Sequence, residues 1–241
     1  STEGIAHYLP SYARVLVKRE VEMMSAVTQN PKHPFVAIIG GAKISTKIGL
    51  LHSLMQKADF ILVGGGLANT FLKARGISVG KSLVEDEALD VAKSILDAFY
   101  KSNCKLLLLD DAVVADMNDS NTQPATYDVD QIPDNKYILD IGIKTMNNWR
   151  KVLINAKTIV WNGPVGLFEK EAYKAGTDFI YNEIVKNSVA TSIVGGGDTL
   201  AAIAGKADNS KITHISTGGG AMLEFIEKGT LPGIDALKRH S

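Results

Sequence analysis

Most of what would mark a secreted, membrane-embedded or metal-holding protein is missing from this sequence. Among its 241 residues there is one cysteine, Cys104, so no disulfide forms within the chain. A lone thiol fits a reducing compartment, and its position just before an apolar run marks it as a small buried residue at a strand start. No apolar run is long enough to span a bilayer. The first residues, Ser-Thr-Glu-Gly, have neither a basic n-region nor an apolar h-region. No secretion signal is therefore expected, and the expected location is cytoplasmic. Net charge is zero, from 26 basic and 26 acidic residues, which argues against a broad nucleic-acid or anionic-membrane surface. The histidines His7, His33, His52, His214 and His240 are dispersed, and neither HExxH nor a Cys/His metal spacing occurs. There is no Gly-x-Ser-x-Gly nucleophile elbow.

What the sequence has is glycine, 22 residues, much of it in clusters that follow short apolar runs. The length suffices for one large domain with a buried core, and 45% hydrophobic with 22% charged content is that of a soluble protein. The runs 35–39, 60–63, 106–109, 137–141, 158–161, 190–194 and 212–216 read as strands. Helical spacing is seen over 11–29, 44–57, 67–75, from about 85 to 101, and over 145–156, 169–186, 200–205 and 221–228. Residues 1–10 read as a lead-in. The polar stretch 110–136 reads as a surface excursion, with short antiparallel pieces at Val113-Val114 and around Tyr127. Strands alternating with helices predict an α/β fold: a doubly wound, mainly parallel sheet with helices on both faces, a Rossmann-like three-layer sandwich. Ligands of such sheets sit beyond the carboxyl ends of the strands, where the glycine clusters fall.

The stretch Val194 to Thr199 (Val-Gly-Gly-Gly-Asp-Thr) joins a strand to a helix start. Its free backbone N–H groups and the helix dipole make an anion site. Asp198 repels phosphate unless a cation lies between them, which suggests a magnesium-bound nucleotide phosphate; the bland alternative is an ordinary helix N-cap. Lys43 and Lys47 are spaced to share one face of a helix that follows Gly40-Gly41-Ala42, and an anion there offsets their conflict with the dipole. Two solvated surface lysines are the alternative. Gly64-Gly65-Gly66 offers bare backbone to a flat base, or is a tight turn. The loop 162–169 offers the Asn162 amide, an apolar wall and the Glu169 carboxylate. Trp161 belongs to the core. Residues 76–82 nearly spell a Walker A loop, but Arg75 stands where its first glycine belongs and a helix precedes it. The dinucleotide fingerprints that begin at Gly64 and Gly218 fail at Asn69 and Leu223.

Taken in order, Gly-Gly-Ala-Lys-Ile-Ser-Thr-Lys (40–47), Gly-Gly-Gly-Leu-Ala-Asn-Thr-Phe (64–71), Asp-Ile-Gly (140–142), Trp-Asn-Gly-Pro-Val-Gly-Leu-Phe-Glu (161–169), Gly-Gly-Gly-Asp-Thr (195–199) and Ser-Thr-Gly-Gly-Gly-Ala (216–221) resemble the phosphoglycerate kinase family. The resemblance covers essentially all of this chain but only the second, nucleotide-binding half of that enzyme. It implies 1–30 as hinge and interdomain helix, 31–228 as the nucleotide-binding domain and 229–241 as a tail. That tail, without the N-terminal domain on which the family docks it, is expected to be mobile or packed elsewhere. The implied reaction moves a phosphoryl group between 1,3-bisphosphoglycerate and Mg-ADP, giving 3-phosphoglycerate and ATP. By resemblance, Lys43 stabilises the group in flight, Lys47 binds nucleotide phosphate, and Gly218, Gly219 and Gly220 supply N–H donors. Gly41 and Ala42 border the nucleotide, Asp198 holds Mg2+, and Gly196, Gly197 and Thr199 cap the phosphates. Gly65, Gly66, Gly166 and Leu167 wall the adenine, Asn162 and Pro164 line the phosphate and ribose, and Glu169 takes ribose hydroxyls. The phosphoglycerate itself is expected to need the N-terminal domain, leaving this chain nearly inactive alone. The full enzyme is expected to be a monomer, with no nucleic-acid or membrane partner. Ile143 departs from the family, which usually has proline there. A non-catalytic nucleotide sensor and a nicotinamide-binding oxidoreductase are the competing readings.

Overall fold

The computed structural model describes residues 2–6, 8–9, 11–119 and 122–238. The apolar runs become strands where predicted: β1 (Phe35–Ile39), β2 (Phe60–Val63) and β3 (Lys105–Leu107). Three short strands follow, β4 (Asp111–Ala115), β5 (Ala125–Asp128) and β6 (Tyr137–Ile141). The series ends with β7 (Thr158–Asn162), β8 (Thr191–Gly195) and β9 (His214–Ser216). Six of them form one sheet in the order β3-β2-β1-β7-β8-β9, and every neighbouring pair is parallel. All five residues of β1 and of β7 are buried, as a parallel strand covered on both faces requires. The strand order reverses between β1 and β7, which puts the crevice of a doubly wound sheet at their carboxyl ends.

The helices are α1 (Thr2–Ala6), α2 (Val15–Gln29), α3 (Ile48–Met55), α4 (Gly65–Ala74), α5 (Leu89–Tyr100), α6 (Ile143–Leu153), α7 (Ala175–Lys186), α8 (Gly197–Ile203), α9 (Gly220–Lys228) and α10 (Pro232–Lys238). Helix α9 packs against both α3 and α2, while α7 packs against α6 and α8. The tryptophans Trp149 and Trp161 are fully buried, and the Trp161 ring N–H donates to the Gly163 carbonyl at 2.8 Å. Cys104 is buried, and that burial pushes its thiol up to about 12. Among the described residues no helix is long and apolar enough to cross a membrane.

The excursion at 110–136 does carry antiparallel pieces, and Tyr137–Ile141 joins them: β5-β4-β6 is a separate antiparallel sheet. Two buried aspartates on these strands, Asp111 at the start of β4 and Asp140 one residue before the end of β6, cap helices from outside. Asp111 accepts the Lys144 and Thr145 backbone N–H groups at 3.0 and 2.8 Å, at the start of α6. Asp140 accepts the Gly176 N–H at 2.7 Å, at the start of α7. That second cap is why 169–186 is not one helix: a 3-10 turn at Glu171–Tyr173 precedes α7. The predicted helix 11–29 begins only at Val15. Residues 232–238 form α10, which lies against α1, while 239–241 are outside the described residues.

Ile143 is the first residue of α6, and its side chain is 59% exposed. At that position the N–H has no acceptor within the helix, and proline's fixed φ suits it. Gly142 before it is extended (φ −87, ψ 178), the conformation a following proline requires. Ile143→Pro is therefore expected to stabilise the chain by roughly 0.4–1 kcal/mol by restricting the unfolded state. A thermal melt compared with the parent chain checks this, and a lowered midpoint refutes it.

Candidate functional site

The site grows from the contact between the loops that follow β1 and β7. The Gly40 N–H donates to the Asn162 carbonyl at 2.8 Å. A Cβ on Gly40 would lie 2.0 Å from the Pro164 carbonyl oxygen, and one on Gly163 2.5 Å from the Gly40 carbonyl carbon. Only glycine permits backbones this close. Asn162, 4% exposed at the end of β7, then ties three elements together. Its Nδ2 donates to the Gly195 carbonyl at 2.8 Å, and its Oδ1 accepts from the Lys47 ammonium at 2.9 Å. The Gly163 N–H donates to Thr199 Oγ1 at 2.7 Å.

Around this core lies a cleft of about 370 Å3 lined by Gly41, Ala42, Lys43, Lys47, Asn162, Gly196, Gly197, Asp198, Thr199, Gly219 and Gly220, together with Thr46, Gly163 and Leu223. Helix α8 makes its first backbone bond from the Leu200 N–H to the Gly196 carbonyl, leaving the N–H groups of Gly197, Asp198 and Thr199 without an acceptor in the helix. Burial holds the Lys47 ammonium below the usual lysine range, and Asp198 pulls it partly back. Among the described residues Asp198 is the one carboxylate lining this cleft. Among the described residues no group of three or more His, Cys, Asp or Glu side chains is arranged to hold a metal ion. A Mg2+ ion fits here only if ligand oxygens complete its shell, as phosphate oxygens do.

A second cleft, of about 310 Å3, shares Gly41, Ala42 and Asp198 with the first. Gly65, Gly66, Pro164, Gly166, Leu167 and Glu169 line it, and Leu83, Ile138 and Leu139 add apolar surface. Here the glycines have a structural cause as well. The Leu67 N–H donates to the Gly41 carbonyl at 3.0 Å, so a Cβ on Gly65 or Gly66 would lie 2.8 Å from the Gly41 or Ala42 carbonyl oxygen. Gly166 meets Asp140, whose Oδ1 would stand 2.2 Å from an added Cβ. Burial pushes the Asp140 carboxyl up to about 7, against the Gly176 and Ile141 N–H groups that favour its charged form. Sequence reasoning noticed Asp140 only as part of Asp-Ile-Gly. It did not identify Thr46, Leu83, Ile138 or Leu139, whose residue types carry no signal apart from their neighbours in space.

The lysine pair is placed differently from expectation. Lys43 and Lys47 line one cleft, but not as neighbours on a helix, because 44–47 form a turn closed by the Lys47 N–H to the Ile44 carbonyl at 2.8 Å. The Ser45 N–H and hydroxyl are claimed by Glu85, and the Thr46 hydroxyl by the Lys43 carbonyl, so α3 starts only at Ile48. The near-Walker loop 76–82 is structural: Gly80 lies tight against the Pro133 and Lys136 carbonyls, and Ser82 accepts the Ile138 N–H at 2.8 Å. His33 pairs with Asp59 and His214 with Glu20, while His7 and His240 lie outside the described residues.

Compared with known proteins, residues 1–229 match the family model described as phosphoglycerate kinase. The chain belongs to the phosphoglycerate kinase family. A phosphoglycerate kinase from Koribacter versatilis is 51% identical over 98% of this chain and 59% of its own length. Another from Finegoldia magna is 46% identical over 98% of this chain and 60% of its own length. The structure of phosphoglycerate kinase from Coxiella burnetii superposes with a TM-score of 0.94 at 44% identity, covering 99% of this chain and 61% of that one. The Pyrococcus horikoshii enzyme gives 0.85 at 30% identity, covering 98% and 60%. The chain thus spans about 60% of the length of the curated phosphoglycerate kinases it matches.

Lys47 supplies a direct probe of the first cleft. An anion placed there offsets the desolvation of its ammonium and returns its pKa toward the usual value. Binding of sulfate, which does not itself titrate at alkaline pH, is expected to be accompanied there by proton uptake. Calorimetric titration in buffers of different ionisation enthalpy measures it. Uptake that persists in Lys47→Met would assign the proton to another group.

Proposed function

We propose that this chain is the nucleotide-binding part of a phosphoglycerate kinase. Supporting this most directly is the pair of adjoining clefts at the strand-order reversal. One is polar and lysine-bearing, the other largely apolar, and they meet at Gly41, Ala42 and Asp198. An adenine nucleotide has the same division. Its phosphates suit the first cleft and its base the second, with the Glu169 carboxylate on the ribose hydroxyls. Asp198 is assigned to the Mg2+ that accompanies the nucleotide, and Lys47 with the Gly196–Thr199 backbone to the phosphates. Gly197 and Gly220 add support: neither has positive φ, and a Cβ on either would meet no described atom within 4 Å. The fold does not demand glycine there, whereas a phosphate against the backbone does.

The reaction proposed is phosphoryl transfer between the acyl phosphate of 1,3-bisphosphoglycerate and Mg-ADP, giving 3-phosphoglycerate and ATP. Such transfer is accomplished chiefly by positioning and by neutralising charge on the group in flight. Lys43, exposed and free of an ion pair among the described residues, is assigned to that group, with the Gly219 and Gly220 N–H groups beside it. The parts proposed are 1–30 as hinge and interdomain helix, 31–228 as nucleotide-binding domain and 229–241 as tail. Tyr12 and Val15, each 85% exposed, and Leu16, 59% exposed, support a facing surface along the first of these. Phosphoglycerate is assigned to the family's N-terminal domain, so this chain alone is proposed to bind nucleotide with little turnover. A cytoplasmic, monomeric full enzyme completes the reading.

Titration calorimetry with Mg-ADP tests it. Binding is expected, weakened about tenfold or more in Asp198→Asn by loss of the metal's carboxylate, and absent for NADH. Gly197→Ala is expected to leave the melting temperature unchanged or slightly raised while weakening Mg-ADP. A folded chain that ignores Mg-ADP, or one that catalyses robust transfer unaided, overturns the proposal.

A further inference from the structure

Residues 82–85 have no regular secondary structure, yet Glu85 at their end is held from two sides. Its N–H donates to Thr70 Oγ1 on α4 at 3.2 Å. Its carboxylate accepts the Ser45 N–H at 3.0 Å and also the Ser45 hydroxyl. The Ser45 hydroxyl, and then its N–H, hold the Glu85 carboxyl below the usual glutamate range; the Ile44 N–H and the Lys43 ammonium act in the same direction. One carboxylate thus engages three successive residues of the turn that carries both cleft lysines.

What this carboxylate prevents follows from residue type. Serine is a preferred helix N-cap, whereas Lys47, which stands before α3, makes no side-chain cap bond. A free Ser45 hydroxyl could accept the N–H of Lys47 or Ile48 and start α3 two residues earlier. Lys47 would then leave φ −122, ψ 0 for helical values, about −63 and −42. That rotation carries its side chain away from Asn162 Oδ1, to which the ammonium now donates at 2.9 Å. Glu85 itself lines neither cleft.

We infer that Glu85 is a positioning residue for phosphoryl transfer: by occupying Ser45 it delays the start of α3 and keeps Lys47 turned onto Asn162 in the first cleft. It acts through the backbone of 43–47 and not by contact with the ligand. Its consequence for transfer rests on the nucleotide reading above, whereas the placement of Lys47 is a property of the chain alone. Charge by itself predicts the reverse effect, because a carboxylate near an anion cleft repels the anion.

Carbon chemical shifts of residues 45–47, measured by nuclear magnetic resonance without ligand, read the start of α3 directly. In Glu85→Ala, Thr46 and Lys47 are expected to take helical shifts, and Mg-ADP to bind about threefold more weakly or worse. Adding Ser45→Ala removes the competing cap. The double variant is expected to return the shifts toward native values and Mg-ADP affinity to within about twofold of the native chain. A general loss of stability is not repaired by a second deletion, so no recovery overturns the inference. Ser45→Asp places a stronger cap at an exposed position, where Glu85 repels it, and is expected to extend α3 as well. It decides where Glu85→Ala does not fold. Unchanged shifts in the deciding variant overturn the inference and leave the nucleotide reading standing, as does undiminished Mg-ADP affinity in a folded Glu85→Ala. A folded native chain that ignores Mg-ADP overturns the nucleotide reading and the role in transfer with it, while the shifts still decide whether Glu85 sets the start of α3.

Discussion

Two glycine backbones pressed together where the strand order reverses are the constraint on which the rest depends. Gly40 and Gly163 leave no room for a Cβ on either side, and the Gly40 N–H closes the gap onto the Asn162 carbonyl. From there the positions follow by hydrogen bonds. Asn162 holds the end of β8 through Gly195 and holds the Lys47 ammonium. Gly163 holds Thr199 at the start of α8. On the other side, Gly41 takes the Leu67 N–H and so places the start of α4. A methyl group at position 40 would clash with the Pro164 and Gly163 carbonyls and so disturb the contact from which these positions follow.

The different character of the two clefts has a topological origin. All six main strands end in the same direction, so their loops crowd one edge and carry their unpaired N–H groups with them. The segments after β8 and β9 supply glycine backbone together with Asp198 and Thr199, which makes the first cleft more polar than the second. The second cleft owes its apolar wall to the antiparallel sheet inserted between β3 and β7, whose β6 contributes Ile138 and Leu139. That insertion carries its own cost. Asp111 and Asp140 are each 1% exposed, and burying a carboxylate is unfavourable unless donors surround it. Both sit on backbone N–H groups at helix starts, where about half a unit of positive dipole charge also acts. The acids thus lock α6 and α7 to the inserted sheet, and with α7 the loop that carries Gly166 and Leu167.

The main sheet was legible because a strand buried on both faces reads as an apolar run, and Phe35–Ile39 and, within β7, Ile159–Trp161 are such runs. The ordered motifs likewise pointed to the residues that the structure gathers around the two clefts. Less legible was anything decided by contacts distant in sequence. The spacing of Lys43 and Lys47 suggested a helix, but Glu85, forty residues beyond Ser45, captures the Ser45 backbone and hydroxyl and delays α3. Gly64 to Gly66 looked like a surface cleared for a base. Part of their reason is the Val165 side chain and the 41–42 carbonyls packed against them. Helix α10 had no periodicity long enough to notice, and it is defined by lying against α1. Asp140 and Asn69 are polar residues in apolar stretches, and only their burial separates them from surface positions.

Separating what the fold requires from what it does not is the strongest argument that a ligand belongs here. Gly40, Gly163 and Gly65 are accounted for by the chain itself. Gly197 and Gly220 are not, since their conformation is accessible to any residue and the space beside them is open. Lys47 is partly desolvated, and among the described residues its ammonium donates to the Asn162 amide oxygen, with Asp198 acting from farther away. Each of these is unfavourable or unneeded in the chain alone, and a well-packed interior lacks such features by default. They fall in two clefts that share three residues. Anionic oxygens against open backbone and a half-buried ammonium answer the first cleft, and a flat apolar ring answers the second. One molecule that carries both at its opposite ends accounts for all of them together, whereas separate ligands would leave unexplained why the clefts meet at Gly41, Ala42 and Asp198.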